Sequence, residues 1–245
     1  MNAHDLLNGM LAPAGYRLER RSRDRLGGRD LHEDIDLVLG RRDGYRIFDV
    51  GANCGQSVRH FLRNFRNPEI TSFEPARRSV ELLRSRYGSH PGVRVVAAAV
   101  GETDGAAELR IYEQSEMNSL LPLESCDQTV RVGANLPVLE TERVDVVTLD
   151  TFTVKNGPER IDLLKMDCQG AEMAVLRGAR RLLDECRLTC ISMEVMFQPL
   201  YVSQSGLEDY RAFLEPHGFA LTGFYSPAFR QKALFHADVL FVRSA

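Results

Sequence analysis

From residue 46 onward, short apolar runs alternate with segments in which apolar residues recur every three or four positions. The first pattern is typical of buried strands and the second of amphipathic helices. In segment 57–66, Val58, Phe61 and Phe65 fall on one helical face. The pattern predicts strands at 46–50, 70–73, 93–100, 106–112, 142–148, 161–166, 188–195, 219–225 and 238–242, and helices at 57–66, 77–87, 172–183 and 207–216.

Strands and helices that alternate in this way predict an α/β protein whose sheet is mostly parallel and covered on both faces. Segments 106–112 and 142–148 interrupt the alternation as an insertion. The last two strands are joined by a loop instead of a helix, which predicts an antiparallel hairpin at the sheet edge. The predicted fold is a Rossmann-like sheet of seven strands with one antiparallel edge hairpin.

Residues 1–44 precede this pattern and are predicted to form an N-terminal extension or cap on a main domain at 45–245. Short helices at 6–11 and 31–39 and a strand-like piece at 16–20 are expected within the extension. It could serve as a dimer arm or as a lid, and the sequence leaves both interpretations open.

Six arginines lie close together in the extension: Arg17, Arg20, Arg21, Arg23, Arg25 and Arg29. One interpretation is a basic surface for an anionic acceptor, such as a phosphate-bearing sugar or a lipid headgroup. Acidic residues are interleaved with the arginines at Glu19, Asp24 and Asp30. They favour the other interpretation, a solvated edge with salt bridges.

Length, charge and cysteine usage limit the class of protein. The 245 residues are enough for one α/β domain with a sizeable core. A net charge of -3 gives no overall reason to expect nucleic acid, and no apolar run reaches the roughly 18 residues of a membrane span. Since the chain also lacks a signal-peptide pattern and a CxxC pair, we expect a cytoplasmic protein with reduced thiols and no zinc site.

The most informative motif is Asp-Val-Gly-Ala-Asn-Cys-Gly, from Asp49 to Gly55, between a predicted strand and a predicted helix. Such turns hold nucleotide-like ligands, and Gly51 and Gly55 would let the backbone approach where a Cβ would collide. Asn53 stands where a dinucleotide fingerprint has its middle glycine, and the charge of Asp49 suits a cationic ligand. The motif therefore predicts a site for S-adenosylmethionine (SAM), the alternative being an ordinary strand-to-helix turn.

Glu74 closes the second predicted strand. In a βαβ unit, an acidic residue about 20 positions after the glycine turn reaches the ribose of an adenosine. Because a carboxylate has two acceptor oxygens, Glu74 is predicted to bind the two neighbouring ribose hydroxyls. The alternative is a solvated glutamate at a strand end.

Asp167 and Glu194 lie at or near the ends of two further predicted strands. Ligands of open α/β sheets bind at the carboxyl ends of the strands, and we expect Asp167 beside the first strand. Glu194 interrupts an apolar strand, where a carboxylate is destabilising unless it is paired, so a buried ion pair is the alternative to a functional role. Glu172 could face the cleft or only support the start of its helix.

Methyl transfer from SAM to a hydroxyl requires a positioned acceptor and a group that takes the proton. Asp167, Glu194 or His236 could be this base, with Asp238 as a further candidate. Two or three converging carboxylates could instead hold Mg²⁺, which would lower the pKa of the acceptor hydroxyl. The residues alone do not decide between these two mechanisms.

Several ordered motifs resemble those of the FkbM-type SAM-dependent methyltransferases, from about residue 45 to the end. They include Phe-Asp-Val-Gly-Ala-Asn-Cys-Gly-Gln, Ser-Phe-Glu-Pro, Met-Asn-Ser-Leu-Leu and Lys-Met-Asp-Cys-Gln-Gly-Ala-Glu. The resemblance implies a class I methyltransferase fold and O-methylation of a sugar, a glycan precursor or a related small natural product. Cys168 and Ala98 depart from the usual residues. Because of the change at Ala98, backbone groups near Ala99 would have to bind the adenine.

With this resemblance, the predicted catalytic residues are Asp167, Glu194 and His236. The predicted cofactor-binding residues are Asp49, Gly51, Asn53, Gly55, Gln56, Ser57, Glu74, Pro75, Ala99, Asn118 and Asp167. The expected partner is a small hydroxylated acceptor, and the sequence is compatible with a homo-oligomer. Two alternatives remain: a nicotinamide-dependent oxidoreductase, which Asn53 and Asp49 disfavour, and a SAM-binding module without catalysis.

Overall fold

A seven-stranded sheet forms the centre of the described part of the protein. The computed structural model describes residues 3–14, 26, 28–124, 136–158, 160–198 and 200–244. The strands within these residues are β1 (Arg46–Val50), β2 (Glu69–Phe73), β3 (Val93–Val96), β4 (Ala99–Val100), β5 (Gly105–Ile111), β6 (Glu140–Val147), β7 (Ile161–Met166), β8 (Leu188–Met196), β9 (Phe219–Arg230) and β10 (Ala233–Arg243).

The strand order of this sheet is β3-β2-β1-β7-β8-β10-β9. All pairs from β3 to β8 are parallel, whereas β10 is antiparallel to both of its neighbours. The predicted mostly parallel sheet with an antiparallel edge hairpin is therefore confirmed. From β1 the chain passes to β2 on one side, and β7 occupies the other side. This reversal opens a crevice at the carboxyl ends of β1 and β7.

A smaller sheet, of order β4-β6-β5, contains the insertion. The prediction of one strand at 93–100 is wrong, because β3 pairs with β2 and β4 pairs with β6. The ladder with β2 ends where the N–H of Glu74 donates to the carbonyl of Val96. An apolar run does not show where the chain leaves one sheet for another, since apolar residues suit a strand of either sheet.

The edge hairpin is longer than predicted. Gln231 and Lys232 form its turn, with φ values of 46° and 68°. Pro227, outside the predicted strand at 219–225, lies within β9 beside a register irregularity. An edge strand tolerates the missing N–H of a proline at such a place.

Helices cover both faces of the large sheet. None of those in the described residues is long and apolar enough to cross a membrane. They are α1 (Ala3–Leu11), α2 (Leu31–Val38), α3 (Gln56–Asn64), α4 (Arg77–Tyr87), α5 (Leu149–Asn156), α6 (Glu172–Arg177), α7 (Arg180–Asp184) and α8 (Leu207–Leu214).

Two helices differ from the prediction. Helix α5 was not predicted, although Thr148 caps it by accepting from the N–H of Thr151 at 3.0 Å. The predicted helix at 172–183 is divided into α6 and α7. The carboxylate of Asp150 accepts from the N–H groups of Arg181 and Leu182, and so begins a second helix there. Neighbouring residues in the sequence do not reveal this cap, because Asp150 belongs to α5.

Helix α2 confirms the second helix predicted in the N-terminal extension, and it packs against the large sheet. Ile35 is 1% exposed and belongs to one hydrophobic cluster with Phe61 of α3 and Leu240 of β10. Tyr225 of β9 donates its hydroxyl to the carboxylate of Asp34 at 2.8 Å. The predicted strand-like piece at 16–20 and the arginines at 17–25 lie outside the described residues. The boundary at 44/45 stays a prediction.

Replacing Gly51 by alanine tests the contact between the first loop and the strand beside it. Gly51 has a φ of +75°, and an added Cβ would lie 1.9 Å from the carbonyl oxygen of Asp167. We expect Gly51→Ala to lower the free energy of unfolding by about 3 kcal/mol or more, from backbone strain and the collision together. Urea denaturation measures the change.

Gly40→Ala is the matched control. Gly40 has a similar φ of +80°, but nothing lies within 4 Å of the position of its Cβ. Only the backbone strain remains, and we expect a loss of about 1 kcal/mol. Equal losses in the two variants would show that the contact with Asp167 is unimportant.

Candidate functional site

A cavity of about 330 Å³ opens at the carboxyl ends of β1, β2 and β7. Ala98, between β3 and β4, and the segment 115–120 complete its walls. All but two of the residues predicted to bind the cofactor line it, and they are Gly51, Asn53, Gln56, Ser57, Glu74, Pro75, Ala99, Asn118 and Asp167. Asp49 and Gly55 do not, although both belong to the loop that forms one wall.

Asp49 is completely buried beneath the loop. One carboxylate oxygen accepts from the hydroxyl of Ser57 at 2.6 Å, and the other lies 3.2 Å from the Lys165 ammonium. Lys165 also donates to the carbonyl of Gly51 at 3.1 Å. Burial opposes the charge of Lys165, but Asp49 and then Asp167 outweigh it and raise the pKa of the ammonium. The negative charge of Asp49 is therefore compensated inside the protein.

The two glycines of the loop are also required by the packing of the loop against the rest of the protein. A Cβ on Gly51 would collide with the backbone of Asp167, and a Cβ on Gly55 would lie 2.5 Å from the ring of Tyr87 and 2.8 Å from Leu83. Both glycines have positive φ, so they fit the loop against β7 and α4.

The Glu74 carboxyl is on the wall of the cavity and is only 6% exposed. Its oxygens accept from the backbone N–H groups of Asn53 at 2.8 Å and Ala76 at 2.9 Å. Burial raises the pKa of Glu74 to about 7, although these two donors oppose the shift. Each oxygen retains a lone pair for a further donor from the cavity.

The two asparagines predicted to bind the cofactor support the surrounding loops. Asn53 has a φ of 45° and donates through its side chain to the hydroxyl of Ser115 at 3.1 Å. It also accepts from the hydroxyl of Ser79 at 3.2 Å. Asn118 accepts from the N–H of Tyr112 at 2.9 Å. The segment 115–120 is thereby held against the first loop across the cavity.

Asp167 follows β7, beside β1 as expected, and its N–H donates to the carbonyl of Val50. Gln169, which has a φ of 53°, donates to the Asp167 carboxylate at 2.7 Å. The hydroxyl of Tyr201 donates to Gln169 at 2.9 Å. Lys165 and Gln169 were absent from the predicted site. The signal that singled out Glu194, a charged residue inside an apolar strand, could also have found Lys165.

Glu172 is 3% exposed and lies beneath the turn that follows Asp167. Its carboxyl accepts from the N–H groups of Cys168 at 2.8 Å and Gly170 at 3.4 Å, and the hydroxyl of Tyr210 donates to it at 3.4 Å. Burial raises the pKa of Glu172 to about 7. These contacts support a structural role, in which Glu172 fixes the turn that presents Asp167.

A second cavity, of about 200 Å³, adjoins the first. Lys165 and Asp167 line both cavities, whereas Glu194 and Asp238 line only the second. His236 lines neither. Its Nδ1 lies 3.0 Å from the Glu194 carboxyl, so His236 is a hydrogen-bonding partner of Glu194. Burial lowers the pKa of His236, which disfavours its charged form near pH 7.

The carboxylates do not converge as a metal site would require. In the described part of the chain, no group of three His, Cys, Asp or Glu side chains has the arrangement to hold a metal ion. Glu74 contributes to the first cavity alone and Glu194 to the second alone. The alternative in which these acids hold Mg²⁺ therefore finds no donor set among the described residues.

The sheet order, the cavity at its reversal point and the acidic residue after β2 are the features of a class I methyltransferase. The chain belongs to the Methyltransferase FkbM domain family, which matches residues 49–221. It is therefore a methyltransferase, and the oxidoreductase alternative is set aside.

Three relatives illustrate the range of the family. The chain is 30% identical to Methyltransferase 1 of Beauveria bassiana over 71% of this chain and 72% of that protein. It is 29% identical to the 2-O-methyltransferase NoeI of Sinorhizobium fredii, over 76% and 75%. It is 27% identical to the 31-O-demethyl-FK506 methyltransferase FkbM of Streptomyces tacrolimicus, over 77% of each chain. Only one of these three names states a substrate, 31-O-demethyl-FK506, so family membership leaves the acceptor of this chain open.

Glu172→Gln should make stability less dependent on pH. Because folding raises the pKa of Glu172 from 4.5 to about 7, its contribution to stability is greatest below pH 4.5 and is lost as pH rises through 7. Glutamine keeps the oxygen that accepts from the turn but cannot ionise. The unfolding free energy of the variant relative to wild type should rise by about 2 kcal/mol between pH 5.5 and pH 8. Urea denaturation at both pH values measures this, and a constant difference would contradict the structural account.

Proposed function

We propose that the protein is a SAM-dependent O-methyltransferase whose acceptor is a hydroxyl of a sugar, a glycan precursor or a related small hydroxylated molecule. The observation that carries the proposal is the pair of adjoining cavities with Asp167 on the wall of both. One cavity has the groups that suit an adenosine and a methionine moiety, and the other is open to an acceptor.

The groups on the walls of the first cavity suit the ribose, the adenine and the methionine moiety of SAM. Glu74, with a free lone pair on each oxygen, is placed to accept from the two ribose hydroxyls. Ala98 and Ala99 line the part of the cavity near Glu74 and leave room for the adenine. Helix α3 begins at Gln56 without a side-chain cap, so its first N–H groups can bind the carboxylate of the methionine moiety.

Asp167 is the residue that we assign to proton transfer, because it is the carboxylate common to both cavities. SAM supplies an electrophilic methyl group bound to a positively charged sulfur. The acceptor oxygen forms a bond to this methyl carbon while the carbon–sulfur bond breaks, and the hydroxyl proton passes to Asp167. Gln169 holds the carboxylate in position at 2.7 Å. Glu194 and His236 lie farther from the first cavity and remain candidates for moving the proton onward.

Two relatives support a hydroxyl acceptor, since their names describe a 2-O-methyltransferase and a 31-O-demethyl-FK506 methyltransferase. A cytoplasmic location and a small-molecule partner belong to the same proposal. The four cysteines in the described residues are free thiols, which suits a reducing compartment. The alternative of a SAM-binding module without catalysis is less favoured, because the second cavity is open and bears carboxyl groups.

The titration of Glu74 makes SAM binding depend on pH. Because ribose hydroxyls donate to the ionised carboxyl, binding requires Glu74 to lose its proton, and its pKa in the free protein is about 7. The dissociation constant for SAM should therefore increase about tenfold between pH 8 and pH 6. Glu74→Gln should bind SAM about 10 to 100 times more weakly at pH 8 and lose this part of the pH dependence.

Calorimetric titration with SAM, S-adenosylhomocysteine and NAD measures these affinities. Glu81→Gln is the control, since Glu81 is exposed on α4 away from the cavity, and it should behave as wild type. Undiminished SAM affinity in both Glu74→Gln and Asp49→Ala, with each variant folded, would contradict the proposed cofactor site.

Replacing Asp167 separates chemistry from binding. Asp167→Asn should lower the rate of methyl transfer to a hydroxyl acceptor by about 100-fold or more, because asparagine cannot take the proton. SAM affinity should change by only a few fold, since Glu74 and the start of α3 are unaffected. Release of S-adenosylhomocysteine, measured across a panel of sugars and polyols, reports the rate. A rate equal to wild type would remove Asp167 from the proposed chemistry.

A further inference from the structure

The second cavity is lined by more acidic than basic side chains. The carboxyls of Asp167, Glu194 and Asp238 line it. Among the described residues on its walls, Lys165 is the only lysine or arginine, and its ammonium already lies 3.2 Å from Asp49. A ligand entering this cavity therefore meets an excess of carboxyl groups.

The opposite wall of the second cavity does not supply a positive charge that would offset these carboxyl groups. Helix α2 contributes Leu31, His32 and Ile35 to it. His32 packs beside His60 of α3, with 5.5 Å between the ring centroids, and burial lowers the pKa of His32. The imidazole of His32 is thus neutral near pH 7. This wall offers apolar and aromatic contact and not a fixed positive charge.

Glu194 and Asp238 lie directly opposite each other on β8 and β10. Like charges at opposed cross-strand positions are destabilising. Burial, and after it the neighbouring carboxyl groups, raises the pKa of Glu194 to about 8 and the pKa of Asp238 to about 6. Both shifts have the direction expected where negative charge lacks a counterion. A cationic group beside the pair would stabilise both carboxylates.

Ser192 is an independent sign of a ligand in the same cavity. It lies on β8, is 3% exposed and lines the wall next to Glu194. Its hydroxyl makes no hydrogen bond with any residue in the described ranges. A hydroxyl that lines a cavity and has no protein partner is available to a ligand, so a polar group that reached Ser192 could form a hydrogen bond with it.

We propose that the second cavity binds the methyl acceptor and selects a small hydroxylated molecule that carries a protonated amine, such as an amino sugar or an amino alcohol. The inference rests on the proposed function and specifies its substrate class. The ammonium lies against Glu194 and Asp238, and a hydroxyl binds Ser192. Asp167 stands between this molecule and the methyl donor. The same carboxyl groups exclude acceptors that carry phosphate or carboxylate.

Three probes of similar size test this selectivity. Ethanolamine carries an ammonium group, ethylene glycol carries no charge, and glycolate carries a carboxylate. Each is titrated into the full chain at pH 7, with and without S-adenosylhomocysteine, and binding is followed by ligand-observed NMR. Ethanolamine should bind at least about tenfold more tightly than ethylene glycol, and glycolate should bind most weakly. Equal affinities, or a preference for glycolate, would overturn the proposal.

Variants test whether residues of the second cavity cause the preference for ethanolamine. Glu194→Gln and Asp238→Asn should each reduce the preference for ethanolamine without changing the affinity for S-adenosylhomocysteine. Ser192→Ala should weaken the binding of ethanolamine and of ethylene glycol alike, because both molecules have a hydroxyl group. Glu185→Gln removes an exposed carboxylate elsewhere on the surface and should leave the preference at its wild-type value.

Two outcomes separate this inference from the proposed function. Glu194→Gln and Asp238→Asn could weaken the binding of S-adenosylhomocysteine and of ethanolamine by the same factor. In that case the two carboxyl groups bind the ammonium of the cofactor, and the inference is wrong. If wild type does not bind S-adenosylhomocysteine at all, the proposed function fails. The order of the three probes without that ligand still tests the charge preference of the cavity.

Discussion

The ion pair between Lys165 and Asp49 is the interaction on which the geometry of both cavities depends. The two residues are register partners on β7 and β1, and Asp49 is completely buried. A buried carboxylate without a partner would be strongly destabilising, so neither charge is tolerated alone. The same ammonium binds the carbonyl of Gly51, and the same carboxylate accepts from Ser57 at the start of α3. One pair of charges therefore joins two central strands, the glycine loop and the helix that follows it.

This dependence also shows what the sequence could and could not reveal. The strand β1 and the turn after it were predictable, because apolar periodicity and glycine are local signals. The partner of Asp49 was not, since parallel pairing brings Lys165 beside it from 116 positions along the chain. Asp49 was consequently interpreted as a residue that faces the ligand, whereas the structure places it under the loop. The division of α6 from α7 has the same origin, because Asp150 caps α7 from a different helix.

Carboxyl groups dominate the electrostatics of the site. Glu74, Glu194 and Asp238 all have raised pKa values, with burial as the largest cause. Such groups are poorly stabilised as anions in the free protein, and a ligand that donates hydrogen bonds or brings positive charge favours their ionised forms. A sulfonium cofactor, ribose hydroxyls and an amine-bearing acceptor share this property. Binding of such ligands is therefore coupled to the loss of protons from these carboxyl groups.

Helix α2 is the part of the N-terminal extension that contributes to the second cavity. It forms one wall of the second cavity, and Asp34 ties it to the edge hairpin through Tyr225 at 2.8 Å. The first cavity, in contrast, is built from the loops after β1, β2 and β7 together with the insertion. The proposed methyl-donor site and the proposed acceptor site share Gln56, Ser57, Lys165 and Asp167, but only the acceptor site includes residues of α2. A change in α2 would alter the shape of the acceptor cavity while leaving the glycine loop and Glu74 in place, so acceptor specificity can vary without loss of the methyl-donor site.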